Sequence, residues 1–226
     1  MKPRAIIFDL FHTLISVKTD GFSAPSTAAI LGIPEARWNT LIFEQSEDRL
    51  CGRMTDPIQI IGQLAEIAGV EVPPEKIARA ARTRQMRFEA SLEAVQTHVL
   101  ETLDRIRQAG ALTALCSNAD CLERKGWDKS PLKGRFDATV FSCDVGCMKP
   151  QKEIYQICLD RLEVRADETL FVGDGGSNEL TGAKAVGIKT VLTTEIISRR
   201  WPEVVAQRKQ DADYVITNVE QILEYL

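Results

Sequence analysis

Short, unbroken apolar runs constrain this chain more than any other feature. The first is Ala5-Ile6-Ile7-Phe8-Asp9-Leu10, a run carrying an acid near its end. Runs of the same kind recur at 111–116, 138–141, 169–172 and 189–193, with a shorter one at 213–216. Continuous apolar character, as opposed to strict alternation, belongs to strands buried on both faces of a parallel sheet. Between the runs the apolar period changes. Leu100, Leu103 and Ile106 share one helical face ahead of Gly110, and Ile154, Ile157, Cys158 and Leu162 form a second stripe. Alternation of strand and helix predicts right-handed crossovers and an α/β fold built on an open, Rossmann-like parallel sheet.

The stretch from 16 to 96 has a different texture. It contains no strand pattern and at least three helical segments. Asp56 is placed to cap one that carries Ile60, Ile61, Leu64 and Ile67 and closes near Gly69, and Pro73-Pro74 precedes another starting around Glu75. The expected organisation is a core of residues 1–15 and 97–226, interrupted by an all-helical cap over 16–96.

Composition narrows the function classes. The 226 residues carry 28 basic and 32 acidic side chains, for a net charge of −4, with the basic residues spread along the chain. Nothing in that spread marks a nucleic-acid or membrane-surface partner. No apolar run approaches the roughly 20 residues that cross a bilayer, and Asp9 interrupts the only apolar stretch near the start, so a cytoplasmic location is expected. The six cysteines, Cys51, Cys116, Cys121, Cys143, Cys147 and Cys158, contain no CxxC pair, and only His12 and His98 could complete a zinc site. They read as free thiols packed as small hydrophobes. Trp38, Trp127 and Trp201 read as packing residues.

In open α/β sheets ligands gather at the carboxyl ends of the strands. The polar residues there are Asp9 and Thr13, Ser117 and Asn118, and Asp174, with Lys149 in a loop ahead of a helix. Two carboxylates, a hydroxyl and an ammonium on one rim suit a phosphate group and a hard cation such as Mg²⁺. Asp174-Gly175-Gly176 does not fit the dinucleotide fingerprint GxGxxG. Ser117-Asn118 also fits the N-cap of a following helix. Arg49 and Arg53, on a polar helix face of the cap, are candidates for holding a substrate anion or are simply solvated.

Taken in order, these segments resemble the four motifs of the haloacid dehalogenase-like (HAD) hydrolase superfamily. Ile6 to Leu14 is similar to motif I, Leu115 to Asn118 to motif II, and Lys149-Pro150, followed by Tyr155, to motif III. Phe171 to Glu179 is similar to motif IV, with Gly182-Ala183-Lys184 and Gly187 trailing it. The position of the helical block matches the subgroup whose cap is inserted after motif I. The resemblance implies that Asp9 is a nucleophile forming a covalent aspartyl intermediate. It further implies that Asp9, the carbonyl of Phe11 and Asp174 bind Mg²⁺, and that Ser117, Asn118 and Lys149 hold phosphoryl oxygens. Thr13 would support the loop, Glu179 would order metal-bound water or Lys149, and Gly175 and Gly176 would turn the backbone beside the metal.

One departure divides the family's chemistries. Phosphatases of this family carry a second aspartate two residues after the nucleophile, and this chain has Phe11 there. The resemblance then points two ways: dehalogenases of the family place an aromatic at that position, but they work without metal and carry a serine where this chain has Asp174. A carboxylate beside Asp9 is costly without a neutralising cation. The leading expectation is therefore a Mg²⁺-dependent phosphatase of a small phosphorylated metabolite, with His12 or water supplying the proton. A 2-haloacid dehalogenase-like hydrolase and a low-turnover binding or regulatory protein are the alternatives. Oligomeric state leaves no trace in the sequence.

Overall fold

Strand β1 (Ala5–Phe8) runs through the middle of a six-stranded sheet, hydrogen-bonded on one side to β2 (Leu112–Ser117) and on the other to β4 (Thr169–Gly173). With β3 (Ala138–Phe141), β5 (Lys189–Thr193) and β6 (Tyr214–Ile216) the order is β3-β2-β1-β4-β5-β6, every pairing parallel. The computed structural model describes residues 2–17 and 22–226; residues 18–21, within the expected cap, and Met1 lie outside the described residues. Each apolar run supplies a strand, and the reason is visible in β1. Ile6 and Phe8 enter one core with Leu103, Ile106 and Val219, whereas Ala5 and Ile7 enter the other with Ile154, Cys158 and Leu180. All four residues are fully buried, so no position in the strand can be polar.

Between β1 and β2 lie α1 (Thr27–Leu31), α2 (Glu35–Glu44), α3 (Glu47–Leu50), α4 (Pro57–Ile67) and α5 (Pro74–Glu93), followed by one helix that packs on the sheet, and no strand among the described residues. The Asp56 side chain caps α4, accepting from the backbone N–H of Ile58 at 2.7 Å and of Gln59 at 3.2 Å. These helices enclose a core of their own around Trp38, Leu41, Ile60, Ile61 and Ala80. The sheet's remaining helices are α6 (Thr97–Gln108), α7 (Ser142–Val145), α8 (Lys152–Leu162) and α9 (Glu179–Ala185). A final excursion between β5 and β6 holds α10 (Ile197–Arg200) and α11 (Pro202–Arg208). The cysteines are free, with Cys51, Cys116 and Cys158 buried.

The connection from β2 to β3 departs from strand–helix alternation. Ser117-Asn118 caps no helix; a single 3₁₀ turn at Trp127–Lys129 is the regular element there. Asp120 caps the local turn instead, accepting from the N–H groups of Leu122 and Glu123 at 2.9 Å each. This stretch is committed to docking the helical block. Leu122 inserts into the block's own core, and two buried acids meet arginines from it. Arg49 of α3 donates to Asp120 at 2.8 Å and to Glu123 at 3.4 Å, and Arg84 of α5 also pairs with Glu123.

Both partners of the Arg49–Asp120 pair are shielded from water, at 6% and 0% side-chain exposure. Removing one would leave the other as an uncompensated buried charge. Arg49→Met is expected to lower the free energy of unfolding by about 3 kcal/mol or more in urea titration. Arg53→Met, which alters an exposed residue, is the near-silent control. Equal midpoints for the two variants would show that the seam does not depend on the ion pair.

Candidate active site

The sheet order reverses at β1, and the loops that leave β1, β2 and β4 meet at their carboxyl ends. Asp9 leaves β1 still in register, its N–H donating to Val172 O at 2.9 Å. A tight loop then carries Thr13 back to the same carboxylate, where its hydroxyl donates to Asp9 Oδ2 at 2.8 Å. Lys149 Nζ donates to the other oxygen, Asp9 Oδ1, at 2.5 Å, and to Glu179 Oε2 at 2.5 Å. Asp9, Thr13, Lys149, Asp174 and Glu179 are all buried. Carboxylate oxygens of Asp9, Asp174 and Glu179 lie within 4.8 Å of one another.

Burial on its own would pull the Lys149 ammonium below its ordinary pKa. The Asp9 and Glu179 carboxylates more than offset that and hold it well above. Glu179 is displaced in the opposite sense: burial first, then the negative charge of Asp9, push its carboxyl well above the usual range, with Lys149 offsetting part. Three acids thus converge beside one lysine.

Motif IV reaches this geometry through its glycines. A Cβ on Gly173 would lie 2.2 Å from Glu179 Oε1, so only glycine lets that carboxylate fold back over the strand end. Gly175 takes a left-handed φ of +82° and donates its N–H to Glu179 Oε1 at 3.0 Å; Gly176 N–H donates to Asp174 Oδ1 at 2.9 Å. Tyr155 anchors the same segment from α8, its hydroxyl donating to Glu179 O at 2.7 Å.

The other expected site residues divide. Ser117 is fully buried at the end of β2, and its hydroxyl has no partner among the described residues. Asn118 is occupied on the protein itself. Its Nδ2 donates to Lys149 O at 2.9 Å and its Oδ1 accepts from Lys149 N–H at 2.8 Å, so it sets the lysine's backbone. Arg49 is engaged with Asp120 and Glu123, and exposed Arg53 pairs with Glu47 and Asp48 of its own turn. Arg49 is thereby committed to the buried seam, whereas the pairs of Arg53 are exposed surface contacts. Polar helix faces look alike in sequence whether they meet solvent or a seam.

Phe11 is half-buried and packs edge-on against Phe88 of α5, ring centroids 5.2 Å apart. His12 follows with a φ of +68° and stacks edge-on with Trp201 at 4.8 Å. Burial foremost, then the Arg200 guanidinium, hold the imidazole down at about 4. A residue that the sequence did not single out completes the site. Arg208, from α11, donates through Nη1 to Asp174 Oδ2 at 2.7 Å and to Asp174 O at 2.8 Å. The expectation that Asp174 has no cation of the chain's own beside it is thereby corrected: Arg208 supplies one.

Comparison with known proteins agrees with this architecture. A family profile of haloacid dehalogenase-like hydrolases matches residues 3–187. Glyceraldehyde 3-phosphate phosphatase of Pyrococcus furiosus is 32% identical over 129 residues, which is 56% of this chain and 52% of that protein. The chain thus spans about half the length of that relative. (S)-2-haloacid dehalogenase 1 of a Pseudomonas species is 27% identical over 213 residues, 92% of this chain and 91% of the relative. Among solved structures, a hydrolase of this kind from Bacillus subtilis bound to magnesium superposes with a TM-score of 0.68 at 18% identity, covering 99% of this chain and 98% of that one. The structural likeness bears on the fold, and the profile, spanning most of the sequence, bears on descent: the chain belongs to the haloacid dehalogenase-like hydrolase family.

Proposed function

We propose that this hydrolase is a Mg²⁺-dependent phosphatase of a small phosphorylated metabolite, acting through an aspartyl-phosphate at Asp9. The observation that carries the reading is the convergence of three buried carboxylates within 4.8 Å beside a buried lysine. All-oxygen donor sets suit a hard divalent cation, and the three carboxylates still outnumber the two cations beside them, Lys149 and Arg208. Asp9, the Phe11 carbonyl and Asp174 would hold the metal, with Glu179 behind them. When bound, Mg²⁺ would neutralise charge on the transferring phosphoryl group.

The remaining work falls to the chain's own groups. Thr13 and Lys149 fix the two Asp9 oxygens, so the carboxylate needs no reorientation to attack phosphorus. As the new O–P bond forms, the bond to the leaving oxygen breaks and its electron pair departs with that oxygen. Lys149 and the unpartnered Ser117 hydroxyl would donate to phosphoryl oxygens. Water then attacks the acyl phosphate, releasing phosphate and regenerating Asp9. His12, its pKa held down at about 4, is the neutral imidazole at neutral pH and not the imidazolium acid. The leaving oxygen would therefore take its proton from water, and activated esters are the expected preference.

A dehalogenase reading is favoured by one observation, Phe11 packed on Phe88 where a proton donor would stand. Halide departure needs no proton.

Turnover of a panel of aryl, acyl and sugar phosphates, with Mg²⁺ or with EDTA, separates these readings. We expect hydrolysis that requires Mg²⁺, favours activated esters and falls by about a thousandfold or more in Asp9→Asn. Chloride release from 2-chloropropionate in EDTA, with no ester hydrolysis, would overturn the phosphatase reading.

The His12 environment predicts a pH dependence of stability. Its folded pKa lies at about 4, below the ordinary 6.5. Between those values the unfolded chain binds a proton that the folded chain does not, so this contribution is complete above pH 6.5 and is lost as pH falls toward 4. His12→Asn, which tolerates the left-handed φ, should flatten the rise of stability with pH across that window in urea titrations. Unchanged slopes would show that the imidazole protonates in place without cost.

A further inference from the structure

Asp174 differs from its two neighbours in the acid cluster. Asp9 and Glu179 share Lys149, whereas Asp174 is paired with Arg208, delivered from the α10–α11 excursion. The contact is built. A Cβ on Gly175 would lie 3.1–3.2 Å from Cβ, Cγ and Cδ of Arg208, so the arginine stem lies across the bare face of this glycine. The excursion is also tied to the motif I loop, through Arg200 Nη1 donating to Ser16 Oγ at 2.9 Å and Trp201 against His12. The arginine side chain retains access to water, with 22% exposure against 8% for Asp174.

We propose that Arg208 is a resident cation that competes with a divalent metal for Asp174, and so sets the metal concentration at which the site loads. The inference rests on the metal-dependent reading above. A guanidinium stays charged at any working pH, and it donates to an oxygen of the motif IV acid expected to take the metal. Two cations on one carboxylate repel strongly in a water-poor site. Loading then requires the guanidinium to leave Oδ2 for the solvent that already reaches part of its side chain. Arg208 is in these terms a positioning residue, acting through Asp174.

The test is direct binding of Mn²⁺, followed by electron paramagnetic resonance of the free ion, to the wild type, Arg208→Gln, Arg208→Lys and Asp174→Asn. We expect Arg208→Gln to bind Mn²⁺ about tenfold more tightly or better, and Arg208→Lys, which keeps the charge, to stay nearer the wild type. Equal or weaker binding by Arg208→Gln overturns the proposal, since the guanidinium would then be holding Asp174 ready for the metal. Absence of binding by every protein, wild type included, overturns the metal reading as well. Should Arg208→Gln fail to fold, a crystal structure of the wild type soaked in Mn²⁺ decides: Arg208 is expected off Oδ2, and Arg208 still in place beside a bound ion overturns the proposal.

Discussion

A buried ammonium between two buried carboxylates organises this protein. Lys149 lies far from Asp9 and from Glu179 in sequence, yet contacts both at 2.5 Å. A lysine withdrawn from water persists as a cation only if such partners surround it, so three loops from three parts of the chain must arrive together. The sheet provides for that by seating β1 between β2 and β4. Local contacts provide the rest: Asn118 clasps the lysine's main chain, and Tyr155 ties down the carbonyl of Glu179. Displacing any one of these loops would leave a charge in the core without its counterpart.

What could be read from the sequence follows from how each residue earns its place. The strands were legible because burial on both faces forbids polar residues, and this leaves a continuous signature at Ala5–Phe8 and again at Thr169–Gly173. Asp9 and Asp174 were legible because they stand at strand ends, and Lys149 because it sits in a loop ahead of a helix, all within an ordered set of motifs. Arg208 was not, because a short helix between β5 and β6 carries no pattern that says which loop it will lean on. Arg49 was misleading for a related reason. Its helix is polar on the face that docks, since the partners there are the acids Asp120 and Glu123 and not an apolar surface.

The same seam explains the missing helix after β2. A regular helix in that connection would have pointed its side chains by its own period, whereas the observed turn sends Leu122 into the helical block and Asp120 and Glu123 toward its arginines. Motif II, immediately upstream, is therefore joined mechanically to the block. The loop that bears Ser117 and Asn118 thus continues directly into the residues that hold the block.

Phe11 holds a position with two neighbours to satisfy. Its ring is half of an edge-to-face contact with Phe88, so the residue two places after Asp9 also packs the first loop against α5. An aspartate here would set a carboxylate against the Phe88 ring and strip that ring of its neighbour. The surroundings of Asp9 and the footing of α5 therefore cannot be altered independently at this position, because one side chain serves both.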